Sequence, residues 1–159
     1  MTDAIDEATG LVPGDALFAL RRQRPDFITG AELCRHAVLT PADDQGLAPP
    51  LRLALARRMA ALNADGPLTA AYDAALDTAG ARDDLTRLAA GEIPLPGPLR
   101  AMALHCDRVT RNNRSASEAD IAALVAASLS TPQIIALSEL IAFVNYQCRV
   151  TAGLRLLKG

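Results

Sequence analysis

Between residues 51 and 80 an apolar side chain recurs at three- and four-residue steps, stops, and resumes after a short break. Leu51, Leu55, Met59 and Leu62 share one side of a 3.6-residue helix, while Arg52, Arg57 and Arg58 take other directions. Asn63, Ala64, Asp65 and Gly66 interrupt the pattern, Pro67 stands where a new helix accepts proline in its first turn, and Gly80 supplies a stop. The segment is expected to be an antiparallel helical hairpin with an amphipathic first arm.

The rest of the chain allows little but helix. Half of the 159 residues are hydrophobic, mostly Ala and Leu, and only 3% are aromatic. Ala and Leu lose little freedom in a helix, whereas the β-branched and aromatic residues that suit pleated sheets are scarce. An all-α fold follows, and the length fits a single domain over residues 1–159. The net charge of −2 is spread over both signs with no basic stripe, so nucleic acid is not an expected partner. The acidic first ten residues lack the order of a secretory signal, and the longest apolar stretch is interrupted at Ser138 and Glu139, so neither export nor membrane insertion is expected. Cys34, Cys106 and Cys148 form an odd, widely spaced set with no metal-ligand spacing. Free thiols in a reducing cytoplasm are the simplest reading, and no metal or cofactor is expected.

Residues 1–48 read as an N-terminal helical arm and loop, and 49–159 as the core bundle. Residues 1–10 are expected to fray. Asp15 caps a short helix bearing Leu17, Phe18 and Leu20 that Pro25 stops, a second short helix covers 31–38, and 40–50 form an ordered loop. After the hairpin come a short helix at 83–90 and a proline-rich extended connector at 93–98. Pro98 then opens a helix with Leu99, Met102, Cys106 and Val109 on one face. Ser117 with Asp120 starts another, carrying Ile121, Leu124 and Val125. Ser130 or Thr131, followed by Pro132, begins the longest helix, which extends to about Leu156. That helix has an apolar stripe of Ile134, Leu137, Ile141, Val144 and Cys148 and a small, polar stripe of Ser138, Ala142, Asn145, Arg149 and Gly153. If the second stripe is buried, Asn145 and Arg149 must find partners or line a pocket; otherwise it is a solvated face.

The hairpin LRLALARRMAALNADGPLTAAYDAALDTAG resembles the core hairpin of the alkylhydroperoxidase D and carboxymuconolactone decarboxylase family. The stretch from Val109 to Leu157 is similar to that family's closing helices, where an aromatic-Asn-aromatic-x-x-Arg run recurs. Asn145 and Arg149 match this run, and Val144 departs from it. The resemblance implies a helical bundle and assembly into trimers or hexamers. In redox members the first helix carries a glutamate, the turn carries C-x-x-C, and a histidine follows. On this chain those places fall at Leu53 for the glutamate, Asp65 and Leu68 for the cysteines, and Tyr72 for the histidine. None of the four is retained, so the resemblance does not carry over the dithiol mechanism, which needs a thiolate, a resolving thiol and a proton relay.

Each candidate for chemistry has a plainer role beside it. Asp65 at a helix start is a natural cap, and alternatively an acid standing where a thiolate once did. Tyr72 fills core, or donates a hydrogen bond into the same cavity. His105 and Cys106 are adjacent and point about 100° apart, so they cannot act as a nucleophile and base pair. Cys106 reads as core and His105 as surface or interface. Cys148 lies on the apolar stripe, where a meeting with Cys106 would revive thiol chemistry. The leading expectation is a peroxidase-related homo-oligomer without the dithiol that binds a small molecule beside Asp65, Tyr72, Asn145 and Arg149. The alternatives are a thiol peroxidase using Cys106 or Cys148, a decarboxylase-like enzyme with Asp65 or His105 as base, and a structural accessory without a pocket.

Overall fold

The computed structural model describes residues 2–93 and 95–159, and its regular elements are all helical. In chain order they are α1 (Ala4–Thr9), α2 (Ala16–Arg21), α3 (Pro25–Leu39), α4 (Pro49–Leu62), α5 (Gly66–Thr78), α6 (Asp83–Ala89), α7 (Gly97–Arg111), α8 (Glu118–Ala126) and α9 (Thr131–Lys158), with a 3-10 turn at Asn113–Ser115. Proline marks the first turn of α3, α4, α5, α7 and α9, where its missing N–H removes no intrahelical bond. Pro25 therefore opens α3 rather than merely stopping α2. Of the expected connector at 93–98, Pro94 lies outside the described residues, and Gly97 and Pro98 already belong to α7.

Helix α4 is the axis of the bundle and packs against α3, α5, α6, α7 and α9. Ala54, Leu55 and Ala56 are all sealed from solvent although they are consecutive, so α4 is buried around its circumference rather than amphipathic. Its arginines correct the sequence reading further. Arg52 and Arg58 are buried and serve as internal ties. Arg52 donates to the carbonyls of Val38, Asp44 and Leu47, fixing the loop before α4. Arg58 makes a two-pronged pair with Asp107 of α7, at 2.7 and 2.8 Å, and donates to the Leu88 carbonyl of α6. The half-buried Arg57 reaches Asp73 of α5 and the Ala89 carbonyl.

The N-terminal arm is ordered where fraying was expected. Asp3 and Asp6 form a reciprocal capping box, and Gly10, at φ 63°, ends α1 in the left-handed region. Ile5 and Ala8 are buried, and α1 packs on α9 and α5. The carboxylates of Asp3 and Asp6 are held by Arg21 and Arg22. From the other side Arg155 and Lys158 of α9 donate to the Ala8 and Gly10 carbonyls. This arm becomes one wall of the site.

Candidate functional site

The turn between α4 and α5 sets the geometry. Asn63 ends α4, Ala64 takes a left-handed φ of 54°, and the Asp65 N–H returns to the Ala60 carbonyl at 3.0 Å. Asp65 then faces inward as the cap of α5, only 2% exposed. Its Oδ1 accepts from the Leu68 N–H and Arg155 Nη1, both at 3.2 Å. Its Oδ2 accepts from Thr151 Oγ1 at 2.6 Å and Arg155 Nη2 at 2.7 Å. Burial alone would raise the Asp65 pKa, but these donors outweigh it and hold the carboxyl below its ordinary value. Asp65 is thus an ionised, fully satisfied cap that ties α5 to α9. Thr151 and Arg155 escaped the sequence reading. The signal was their helical spacing from Cys148, which continues the buried stripe toward the C-terminus.

Three of the four positions aligned with the dithiol motif do share a cavity. Leu53, Leu68 and Tyr72, joined by Gln147 of α9, line a space of about 430 Å³. Its far wall comes from the arm, including Ala4, Glu7, Glu32 and Arg35. At its base Tyr72 Oη donates to Gln147 Oε1 at 2.7 Å. Burial pushes the Tyr72 phenol upward, so it stays neutral and acts as a hydrogen-bonding group. Gln147 accepts that bond through its oxygen. Asp65 does not line this cavity.

The remaining candidates disperse. Asn145 is buried but committed elsewhere: its Nδ2 donates to Thr110 Oγ1 and the Ile141 carbonyl, and its Oδ1 accepts from Asn63. It fastens α9 to α7 and to the end of α4. Arg149 is exposed, so the expectation that it and Asn145 line one pocket with Asp65 and Tyr72 does not hold. His105 is buried rather than superficial and faces a separate cleft between α7 and α8.

Cys106 and Cys148 are buried and unbonded, and Cys34 is exposed. Burial, with Asp107 adding to it, pushes the Cys106 thiol far up. Burial and Asp65 push Cys148 up to about 12. Neither has the electropositive, accessible setting of a reactive thiolate. Among the described residues no group of His, Cys, Asp and Glu could hold a metal ion, and no helix is long and apolar enough to cross a membrane.

The helical bundle, with its hairpin and long closing helix, is a fold that recurs among solved structures. The chain superposes on the crystal structure of an uncharacterized peroxidase-related protein from Silicibacter sp. TM1040 with a TM-score of 0.72, at 18% identity, covering 93% of this chain and 77% of that one. No family model and no curated protein matches the sequence.

Proposed function

We propose that this chain is a peroxidase-related protein that has exchanged its dithiol for a binding cavity and takes up a small molecule there without redox turnover. The observation that carries the reading is the shared cavity of Leu53, Leu68 and Tyr72, positions where the resembling family keeps its glutamate, second cysteine and histidine. Apolar walls with a few convergent polar groups are the usual make-up of a small-molecule site. Here Leu39, Leu53, Leu68 and Ala75 supply apolar surface, while Tyr72 and Gln147 supply the polar pair. Arg21 balances Asp3, and Glu7 and Glu32 against Arg35 still leave the lining net acidic, which disfavours an anionic ligand and favours a neutral or cationic one.

The enzymatic alternatives find less support. A thiol peroxidase needs an accessible thiolate, and Cys106 and Cys148 are buried with raised pKa values. A carbon-acid enzyme needs a free base near the cavity, yet the Asp65 oxygens already accept four hydrogen bonds and His105 lies in another cleft. Self-association and residence in a reducing cytoplasm complete the proposal. The first draws on the apolar side chains exposed along α3 and α9, the second on the three free cysteines.

Benzylamine and benzoate share an apolar ring and differ in charge, which makes them suitable probes. Titration followed through the Gln147 side-chain amide resonances should show saturable shifts with benzylamine, weaker ones with benzoate, and neither in Ala71→Trp, which fills the cavity from its exposed rim. An unmoved Gln147 amide with both probes sinks the proposal.

A further inference from the structure

The one buried side-chain polar atom without a hydrogen-bond partner among the described residues is Nδ1 of His105. His105 is 9% exposed and lines a cleft of about 320 Å³ between α7 and α8. Arg100, Leu104 and Arg108 follow one another at four-residue steps along α7 and line the same cleft. The opposite wall is Asp120 and Ala123 of α8, and the foot is Gly97, where the positive pole of α7 lies.

Asp120 accounts for part of that positive charge. Its Oδ1 pairs with Arg108 Nε at 3.1 Å, and Ser117 donates to its Oδ2. Arg100 makes no ion pair among the described residues, so two guanidinium groups face one carboxylate and the cleft retains a net positive charge. The imidazole adds a further donor. Burial lowers its pKa, with Asp120 raising it and Arg108 lowering it, so the neutral ring prevails at pH 7. Nδ1 is sealed and faces no acceptor that would receive a proton from it, so we assign the ring proton to Nε2.

We propose that the α7–α8 cleft binds a small oxyanion, a carboxylate or a phosphate group, between the guanidinium groups of Arg100 and Arg108 and the Nε2–H of His105. Planar, forked guanidinium donors suit either oxyanion. The site shares no lining residue with the acidic cavity beneath the arm and has the opposite charge preference, so the two proposals stand or fall separately.

The chain has two histidines, and the exposed His36 provides an internal control. Ring resonances of both are followed at constant pH while inorganic phosphate or acetate is added, with sodium chloride matching the ionic strength. A saturable shift of His105 with an unmoved His36 is expected from at least one probe, and which probe acts distinguishes phosphate from carboxylate recognition. In Arg100→Ala, which disturbs no ion pair of the fold, the same titration should weaken about tenfold, as expected for one lost charged hydrogen bond. A His105 signal unmoved by both anions, moved equally by chloride, or titrating identically in Arg100→Ala overturns the proposal.

Discussion

Arg155, near the end of the last helix, holds both carboxylate oxygens of Asp65, with Nη2 2.7 Å from Oδ2 and Nη1 3.2 Å from Oδ1. One guanidinium thereby joins the start of α5, the C-terminal turns of α9 and, through the Ala8 carbonyl, the end of α1. Asp65 is thereby a structural junction of three helices.

Asp65→Asn retains a capping oxygen but removes the charge that Arg155 pairs with. Breaking a largely buried pair of this kind should destabilise the fold by about 2–3 kcal/mol, toward the lower end of such effects because Arg155 is partly exposed. The pH dependence has a definite sign. A carboxyl whose folded pKa lies below its unfolded value stabilises fully above the unfolded value, about 4, and that contribution fades as pH falls through the folded one. The gap between wild type and variant in urea unfolding should therefore be widest at pH 7 and shrink toward pH 3. A gap constant across that range would mean that the charge of Asp65 plays no part.

How far the sequence revealed this arrangement depended on how local each determinant is. The hairpin, the Asp65 cap and the long last helix were legible because apolar periodicity and capping act within a few residues. The arm was not, although Asp3 and Asp6 have capping-box spacing. What keeps α1 folded is its contact with Arg21, Arg22, Arg155 and Lys158. Arg52 and Arg58 were read only as lying off the apolar face of the helix, because isolated charges avoid the interior and their partners lie on other elements whose packing no periodicity reports. Arg149 was named from the closing-helix run, whereas Arg155 is the arginine that holds Asp65. The two are six residues apart, about 240° around the helix, and only tertiary packing decides which one meets Asp65.

Ala64 occupies the left-handed region at φ 54° and is exposed. For an L-residue with a Cβ this conformation costs about 1–2 kcal/mol, and glycine removes that cost while adding freedom to the unfolded chain. Ala64→Gly should stabilise the protein by about 0.5–1 kcal/mol, raising Tm by about 2 °C. A fall in Tm would show that the turn adopts another backbone conformation in solution.

The three thiols should separate cleanly in a disulfide-exchange titration. Cys34, exposed in the protomer and bordering the α3–α9 groove, should react ahead of the other two, at a rate that rises as the assembly dissociates, whereas buried Cys106 and Cys148 should react only on unfolding. With Cys148 pushed up to about 12, its thiolate fraction at pH 8 is on the order of one in ten thousand. Neither hydrogen peroxide nor an organic hydroperoxide should be consumed catalytically in the presence of dithiothreitol. Turnover that disappears in Cys106→Ser or Cys148→Ser would restore the thiol mechanism.

The α3–α9 face provides the test of assembly. Phe27, 59% exposed, and Tyr146, 40% exposed, border a groove of about 620 Å³ that also includes Ala31, Val38 and Phe143. Apolar surface of this kind on a helical face favours burial against another copy, because each Å² of apolar surface removed from water contributes about 25 cal/mol. Light scattering coupled to size-exclusion chromatography should therefore report a homo-oligomer at micromolar concentration, and the family resemblance proposes a trimer or hexamer. The double substitution Phe27→Glu and Tyr146→Glu should shift the population to monomer, since the new carboxylates would join Asp26 and Glu139 in a desolvated groove, a cost that Arg24 beside position 27 offsets only in part. Both side chains are exposed within the protomer, so its helix content should persist by circular dichroism. A wild-type monomer under these conditions, or an assembly indifferent to the two glutamates, removes this face from the interface.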